Sequence, residues 1–385
     1  MTTPRRPFAI YAITRHGIDI ARKLAAGLPG ADLFVSAKLA HLAAPLTIKP
    51  FALPMGPLLS DTFTAYDGHI FIISVGAVVR MIAPLLQNKK VDPAIVCVDD
   101  AARFSICVLS GHVGRGNVFT ERVASILGAA SVVTTASDAI GTLTVDILGR
   151  DLGWTLDDMD RNVTRGCAAV VNAAPVLFVQ ETGEPHFWPV DRPLPDGVQY
   201  ATSLDGVDPR AWEILLVATD RERARIDAAQ WDNAVVYRPK SLVVGLGCDR
   251  DASPEMVERG VDALLAAHGL SSKSVKAIAT IDKKADERAF LALSERRRWP
   301  LQIFTPEELD AVPGIENPSE TVKRFVGARG VAEPAALLAA GAEKLLVPKQ
   351  TYTEEGAGRS MTFAVARIPF SRRTPSETKK DANHE

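Results

Sequence analysis

The segment LSGHVGRGN, residues 109–117, is the part of the sequence whose residue types are best suited to chemistry. It combines three glycines with His112, Arg115 and Asn117. A histidine takes up and releases a proton near neutral pH, and an arginine can bind a carboxylate through two parallel hydrogen bonds. Glycines let backbone amides come close to a ligand. The pattern indicates a loop that binds an anion and transfers protons, with a simple hydrogen-bonding turn as the alternative.

Several other segments place polar or cationic side chains at or near the end of an apolar run. In an open α/β sheet, ligands bind beside the carboxyl ends of the strands, so these side chains are candidates for ligand binding. A purely structural role stays open for each: a helix cap for the threonine and the aspartate, a solvated charge for the lysines, an internal ion pair for the arginine and a strand-to-helix turn for the glycine. The candidates are Arg80, Thr135, Asp138, Gly247, Lys283 and Lys349.

The elements that must position these residues are suggested by the hydrophobic pattern. Short apolar runs alternate with amphipathic helical patterns, which predicts an α/β fold: two α/β domains with mostly parallel sheets flanked by helices. One predicted helix spans 140–153. A segment rich in proline, glycine and aspartate, 181–209, predicts hairpins and loops in a small middle region that joins the two domains. The expected limits are 1–150, 151–240 and 241–370, followed by a disordered polar tail at 371–385.

The charge balance of the chain excludes some classes of partner. Lys plus Arg number 44 and Asp plus Glu number 46, a formal net charge of −2, so neither nucleic acid nor a membrane is expected as a partner. No apolar run is long enough to span a membrane. The first residues suggest a β-strand rather than a signal peptide. The four cysteines include no Cys-x-x-Cys pair, as is typical of buried thiols in a reducing compartment. A cytoplasmic protein is therefore expected.

Familiar catalytic signatures do not explain the candidate residues. The sequence contains no Gly-x-Ser-x-Gly elbow, no His-Glu-x-x-His, no Walker-type Gly-Lys-Ser/Thr and no zinc-ligand spacing. Gly245 and Gly247 form a Gly-x-Gly, but Arg250 stands where a dinucleotide fingerprint has its third glycine. The residues alone therefore indicate an α/β protein that binds a ligand with several carboxylates, without indicating a reaction.

Taken together, the loops resemble one family, the cobalt-precorrin-5A hydrolases (the CbiG proteins) of anaerobic cobalamin biosynthesis. The resemblance lies in two separate blocks in the same order, which together cover well over half of the chain. The N-terminal block is the run from Val75 to Asn117 followed by TTASD. The C-terminal block consists of VVGLGCDRDAS, ATIDKKADE, NPSETV, GVAEPAALLAAG and LLVPKQTY.

The resemblance implies a substrate and a reaction. The substrate would be a cobalt-bearing corrin precursor with many carboxylates and a δ-lactone; the enzyme would open the lactone and release acetaldehyde, giving cobalt-precorrin-5B. The cobalt is carried by the substrate, so neither a separate cofactor nor a metal site of the protein is expected. Transient contact with the methyltransferases of the corrin pathway is a further expectation, and the oligomeric state is left open. A non-catalytic carrier of tetrapyrrole intermediates is the alternative, and a nucleotide-dependent enzyme is a third hypothesis.

Within that family, the lactone carbonyl needs a nucleophile, a base and donors for the developing oxyanion. His112 is the first choice for the base, with Asp138 as its orienting group or as an alternative base. Because no activated serine or cysteine is evident, direct attack by water is expected. The other expected contacts are to the substrate, through Ser110, Gly111, Gly114, Asn117, Thr135 and Gly247, and to its carboxylates, through Arg80, Arg115, Lys283 and Lys349.

The sequence departs from the family pattern at two turns. The family usually has SGHxGGAN, whereas Arg115 and Gly116 stand here. The C-terminal turn usually reads Gly-Cys-Arg-basic-Gly, whereas Asp249 and Asp251 flank Arg250 in this chain. If that turn binds a substrate carboxylate, Arg250 alone is expected to do so.

Overall fold

The residues that the structure describes form three β-sheets, of seven, five and five strands. Contacts divide the chain into two compact units, Met1–Ile147 and Leu148–Glu385. The α/β architecture with mostly parallel sheets and flanking helices is confirmed. The predicted disordered tail lies outside the described residues except for Ser371. The computed structural model describes residues 4–158, 161–189, 192–313, 315–354 and 359–371.

The first unit is built on the seven-stranded sheet. Its strands are β1 Arg6–Ala12, β2 Asp32–Ser36, β3 Lys49–Phe51, β4 Tyr66–Ile72, β5 Ala94–Val98, β6 Phe104–Leu109 and β7 Ala130–Val132. Its helices are α1 Arg15–Gly27, α2 Gly56–Thr62, α3 Val75–Ile82, α4 Gly116–Leu127 and α5 Ala136–Ile140. The strand order is β3-β2-β1-β4-β5-β6-β7, and only the β5–β6 pair is antiparallel.

Helices cover both faces of this sheet. Ile18 and Leu24 of α1 and Val123 of α4 belong to the buried cluster on one face. Leu59 of α2 and Val78 of α3 belong to the cluster on the other. A strand covered on both faces is apolar throughout, as in the fully buried AIVCV of β5. This is why the strands are visible in the sequence as continuous apolar runs.

The predicted helix at 140–153 is wrong. Helix α5 ends at Ile140, and the chain continues through turns and irregular backbone to position 149. Gly141 and Gly149 both have a positive φ, of 67° and 69°, a conformation that ends helices. Leu143 and Val145 are nevertheless buried, so the segment packs into the unit without being helical.

The middle sheet belongs to the second unit and is mostly parallel. Its strands are β8 Thr155–Leu156, β9 Val176–Gln180, β10 Val198–Ala201, β11 Ile214–Ala218 and β12 Ala234–Arg238, and its helices are α6 Val163–Val171 and α7 Ala228–Asp232. The order is β10-β9-β11-β12-β8, with only β8 antiparallel. The expected hairpins at 181–209 are wrong, because β10 lies parallel to β9 and the proline-rich chain before it is the connection between them.

The third sheet is mixed. Its strands are β13 Leu242–Cys248, β14 Val275–Ile281, β15 Leu301–Phe304, β16 Leu345–Thr353 and β17 Ser360–Arg367. Its helices are α8 Pro254–Ala267, α9 Arg288–Arg297, α10 Pro306–Asp310, α11 Glu320–Val326 and α12 Ala332–Ala340. The order is β15-β14-β13-β17-β16, with β17 antiparallel to both neighbours. Ser253 caps α8, its hydroxyl accepting from the Met256 amide at 3.1 Å.

The buried carboxylate of Asp220, which follows β11, connects the middle and third sheets within the second unit. The Asp220 carboxylate, 2% exposed, accepts hydrogen bonds from the Ser241 hydroxyl at 2.9 Å and from the Arg367 guanidinium at 2.7 and 2.8 Å.

None of the helices in the described part of the chain has the length and apolarity that a membrane span needs.

Candidate functional site

The loop between β6 and α4 holds its shape through close packing at the glycines. A Cβ on Gly111 would lie 2.6 Å from Oδ1 of Asn117, and one on Gly114 would lie 2.5 Å from Cβ of Ser110. The left-handed positions of the loop belong to other residues: φ is 56° at Ser110 and 63° at Arg115. The glycines are therefore required for the tight approach of the chain to itself, while Arg115 occupies a conformation that favours glycine.

His112 lies between two carboxylates. Its Nε2 atom is 2.9 Å from Oδ2 of Asp138, and its Nδ1 atom is 3.2 Å from Oδ1 of Asp146. The side chains of His112 and Asp146 are 17% and 11% exposed, whereas that of Asp138 is 42% exposed. The imidazole thus lies between a largely buried acid on one side and a more accessible acid on the other.

Asp138 collects further hydrogen bonds from the loop. Its Oδ2 atom accepts from Nδ2 of Asn117 at 2.6 Å and from the hydroxyl of Thr135 at 2.6 Å. The Asn117 amide also donates to the Thr135 hydroxyl at 2.8 Å. Thr135 occupies the N-cap position of α5, but its side chain makes no capping hydrogen bond. Its hydroxyl therefore serves the Asp138 carboxylate rather than the helix end.

The two acids change the protonation of the imidazole. The Asp146 carboxylate, opposed by burial and assisted by Asp138, raises the pKa of His112 above its ordinary value. Burial works against ionisation of Asp138, but hydrogen bonds from Thr135 and His112 hold the pKa of that carboxyl below its usual range. The imidazolium is stabilised between two anions, so His112 becomes a proton acceptor only after it loses a proton.

Two residues of this cluster, Asp146 and Ser137, are not among the predicted catalytic and substrate-binding residues. Asp146 falls in the stretch predicted as a helix, where its distance from the glycine-rich loop was not visible. Ser137, 7% exposed, has its Oγ atom 3.1 Å from Nε2 of His112. It stands inside TTASD, a segment that carries the family resemblance, where the neighbouring threonine and aspartate are the more obvious candidates.

Two other residues of the first unit that were predicted to bind substrate, Ser110 and Arg80, donate hydrogen bonds to backbone carbonyls. The Ser110 hydroxyl donates to the backbone carbonyl of Asp92 at 3.0 Å, which fixes the start of the loop. Arg80 is exposed on α3, and its guanidinium donates to the carbonyl of Gly76 on the same helix at 3.2 Å. The structure thus places Arg80 on the accessible surface, with no carboxylate partner among the described residues.

A cavity of about 730 Å³ lies in the second unit beside the end of β13. Gly247 lies inside β13 rather than after it, and so does Gly245. A Cβ on Gly245 would lie 1.8 Å from the carbonyl oxygen of Ala332 in α12, so this Gly-x-Gly lets a helix approach the strand. The cavity wall includes Gly247, Cys248, Lys284, Phe325, Arg329 and Lys349.

A buried carboxylate shapes one wall of this cavity. Glu333, 2% exposed, accepts hydrogen bonds from the backbone amides of Asn317 and Lys349, both at 2.9 Å, and from Nδ2 of Asn317 at 2.8 Å. Burial opposes its ionisation, but these donors keep the pKa of Glu333 below its ordinary value. Lys349 lies within β16 at a register shift, a type of irregularity that re-aims side chains.

The cations around the cavity differ in their partners. Lys284 and Arg329 are paired with Glu287 at 2.8 Å and Asp310 at 2.9 Å. In the part of the chain that the structure describes, the Lys349 ammonium has no carboxylate within 4.0 Å, and its contact is the carbonyl of Asn317 at 3.5 Å.

The predicted Lys283 does not line the cavity; its ammonium lies 3.4 Å from the carbonyl of Phe325. Its neighbour Lys284 lines the cavity instead. The predicted segment therefore contributes Lys284, rather than Lys283, to the cavity wall.

Models of three parts of one protein family match the chain. "Cobalamin synthesis G N-terminal" matches residues 57–138, "Cobalamin biosynthesis central region" matches 143–239 and "Cobalamin synthesis G C-terminus" matches 242–366. The three matches follow one another in order and cover most of the chain from residue 57 to residue 366. The chain belongs to the cobalamin synthesis G (CbiG) family.

Full-length relatives agree with this assignment. The cobalt-precorrin-5A hydrolase of Priestia megaterium is 39% identical over 370 residues, which is 96% of each chain. The cobalt-precorrin-5A hydrolase of Salmonella typhimurium is 29% identical over 374 residues, 95% of this chain and 99% of that one. The protein CobE of a Sinorhizobium species is 36% identical over 107 residues, 28% of this chain and 70% of CobE.

The departure of this chain from the usual CbiG turn has a structural role. Asp249 accepts hydrogen bonds from the backbone amide and hydroxyl of Ser360, at 2.7 and 3.0 Å, and so joins the ends of β13 and β17. Arg250 is paired with Asp286 at 2.8 Å and donates to the carbonyl of Lys283 at 2.9 Å. Arg250 is therefore already engaged, and Lys349 is the better placed cation for a ligand carboxylate in this part of the CbiG chain.

Proposed function

We propose that this protein is a cobalt-precorrin-5A hydrolase, which opens the δ-lactone of its cobalt-corrinoid substrate and releases acetaldehyde to give cobalt-precorrin-5B. The observation that carries the proposal is the array of Asp146, His112 and Asp138 at the glycine-rich loop. It provides an oriented acid–base group in the family segment that also carries Arg115 and Asn117. The names of the two full-length relatives support the same activity.

The chemistry that the array supports is acyl transfer at the lactone carbonyl. In its neutral form, His112 keeps its Nδ1 proton directed at Asp146 and offers the Nε2 lone pair to the attacking nucleophile. The same nitrogen then returns the proton to the oxygen that leaves the carbonyl. The freed hydroxyl stands on the methylated carbon that carried the lactone oxygen, and cleavage of the single C–C bond that joins this carbon to the macrocycle expels acetaldehyde while the macrocycle takes up the electron pair and a proton.

Substrate carboxylates are the natural partners of the cations in each unit. Arg115 in the first unit and Lys349 in the second are suited to bind carboxylate groups of a corrinoid. Arg80 and Lys283 are exposed and supply weaker, solvent-screened attraction. The cobalt belongs to the substrate, and the proposal assigns the protein no cofactor of its own.

Catalysis is better supported than a carrier function. The relatives that cover 95% or more of this chain are named as hydrolases. A carrier requires binding alone and gives no role to a histidine held between two carboxylates. A cytoplasmic location and transient contact with the methyltransferases of the pathway complete the proposal.

The test is incubation of the purified chain with cobalt-precorrin-5A, with acetaldehyde measured by a coupled alcohol dehydrogenase and the corrinoid product identified by its mass. We expect one acetaldehyde for each substrate consumed, and a product that has gained the elements of water and lost those of acetaldehyde. Tight binding of the substrate without acetaldehyde would contradict the hydrolase and favour the carrier.

A further inference from the structure

We infer that Ser137 is the nucleophile of the reaction, and that the lactone is opened through a covalent ester between the Ser137 hydroxyl oxygen and the substrate acyl group. This inference rests on the proposed function and deepens it. The sequence favours direct attack by water, because it shows no activated serine. The structure places Ser137 beside His112 and so offers a serine nucleophile instead.

The geometry is that of a serine, a histidine and an acid in series. The Ser137 Oγ atom lies 3.1 Å from Nε2 of His112, and Nδ1 of the same ring lies 3.2 Å from Asp146. In unrelated hydrolases, a serine hydroxyl is activated when it is hydrogen-bonded to one nitrogen of an imidazole and an acid lies at the other nitrogen. Along the chain these residues occur in the order His112, Ser137, Asp146. The serine is not in a Gly-x-Ser-x-Gly motif, so no standard sequence motif identifies it as a nucleophile.

Asp138 competes with Ser137 for the same ring nitrogen. Its Oδ2 atom is 2.9 Å from Nε2, which favours a proton on that nitrogen in the resting state. When that proton is lost, Oδ2 of Asp138 still accepts hydrogen bonds from Asn117 and Thr135, each at 2.6 Å. The Nε2 lone pair then accepts the Ser137 proton. The loop is therefore built to stabilise Asp138 in both protonation states of His112.

The steps balance without a co-reactant other than water. The Ser137 oxygen bonds to the lactone carbonyl carbon as its proton passes to Nε2, and the bond from that carbon to the ring oxygen breaks. His112 gives the proton to the released oxygen, and the resulting hydroxyl compound loses acetaldehyde. Water then attacks the Ser137 ester, passing a proton through His112 back to the serine oxygen and freeing the carboxylic acid.

The first arm of the test looks for the ester itself. The wild-type protein is mixed with cobalt-precorrin-5A, quenched with acid at early times in the first turnover and analysed by mass spectrometry of the intact chain and its peptides. We expect a covalent corrinoid adduct on the peptide that contains Ser137, and its absence in Ser137→Ala.

The second arm compares variants. Ser137→Ala should release acetaldehyde at least 100-fold more slowly than wild type, with its affinity for the substrate nearly unchanged. Ser131→Ala, at an exposed serine of β7 outside the cluster, should retain the wild-type rate.

A smaller fall in Ser137→Ala would overturn the inference. So would a slow Ser137→Ala variant combined with no adduct in wild type, since Ser137 would then only position His112. In either case acetaldehyde release by wild type leaves the proposed function standing, whereas no release by wild type contradicts the function itself.

Discussion

The Nδ1 atom of His112 lies 3.2 Å from Oδ1 of Asp146, although the two residues belong to different loops of the first unit. This contact favours a proton on Nδ1 when the imidazole is neutral, in competition with Asp138 at Nε2. With the proton on Nδ1, the lone pair of Nε2 faces Asp138 and Ser137. The proposed chemistry depends on this orientation.

Asp146→Asn should therefore impair catalysis more than binding. The amide cannot stabilise the imidazolium and permits the wrong tautomer, so we expect kcat for acetaldehyde release to fall by about 10²–10⁴-fold with little change in KM. Steady-state kinetics with cobalt-precorrin-5A measure both constants. Asp61→Asn, at an exposed aspartate of α2, is the matched control and should behave as wild type. A similar loss in both variants would contradict the role of Asp146.

The rate should depend on the protonation of His112. Asp146, with a further contribution from Asp138, raises the pKa of His112, and the neutral form is the reactive base. The acidic limb of the pH profile of kcat/KM should therefore have its midpoint above 6.5, the ordinary value for histidine. Asp138→Asn removes one of the two anions and should move the midpoint to lower pH. If the midpoint of the acidic limb is the same in Asp138→Asn and wild type, a group other than His112 controls the acidic limb of the kcat/KM profile.

The same raised pKa affects the stability of the fold. The folded state binds the His112 proton more tightly than the unfolded chain does. The contribution of His112 to the free energy of unfolding is therefore fully present below the pKa of the unfolded chain. It is lost as the pH rises through the pKa of His112 in the folded state. Urea titrations should show wild type more stable than His112→Gln near pH 5.5, about one unit below the unfolded value, with the difference shrinking as the pH rises through the folded pKa. A difference that grows with pH would contradict this linkage.

The left-handed backbone at Arg115 gives a prediction that separates the backbone from the side chain. Arg115→Gly and Arg115→Ala both remove the guanidinium, but only glycine adopts a φ of 63° without strain. The glycine variant should be more stable than the alanine variant by about 1 kcal/mol in urea unfolding. Both should raise KM more than they lower kcat if Arg115 binds a substrate carboxylate. Equal stability of the two variants would show that position 115 carries no strain.

The two lysines predicted from the sequence should differ in their effect on substrate binding. Lys349→Gln removes a cation from the wall of the cavity, and we expect KM to rise about tenfold, in the range for one charge-assisted hydrogen bond. Lys283→Gln changes an exposed lysine outside that wall and is the matched control, with an expected change below about twofold. An equal effect of the two changes, measured at the same ionic strength, would count against a carboxylate site at Lys349.

The fold was largely accessible from the sequence because strands buried on both faces are continuous apolar runs. The middle sheet was not recognised, since the proline-rich connection before β10 has the composition of hairpin loops. The helix expected at 140–153 failed because Leu143 and Val145 are buried from irregular backbone, and Gly141 and Gly149 adopt a positive φ that a helix does not continue through.

The candidate site could be predicted only in part. His112, Asp138, Asn117 and Thr135 share adjoining motifs, and their convergence follows from the carboxyl ends of neighbouring strands. Asp146 reaches the imidazole through an irregular turn, and no spacing rule predicts that approach. Which of two adjacent lysines lines the cavity depends on the path of the backbone after β14, which the sequence does not specify.

In the proposed function, the cluster around His112 performs the lactone opening. The most direct test is the rate of acetaldehyde release from cobalt-precorrin-5A by His112→Ala, measured together with its affinity for the substrate. We expect release to fall at least 100-fold while the substrate is still bound and the far-UV circular dichroism is unchanged. Release at close to the wild-type rate would contradict the account and remove His112 from the mechanism.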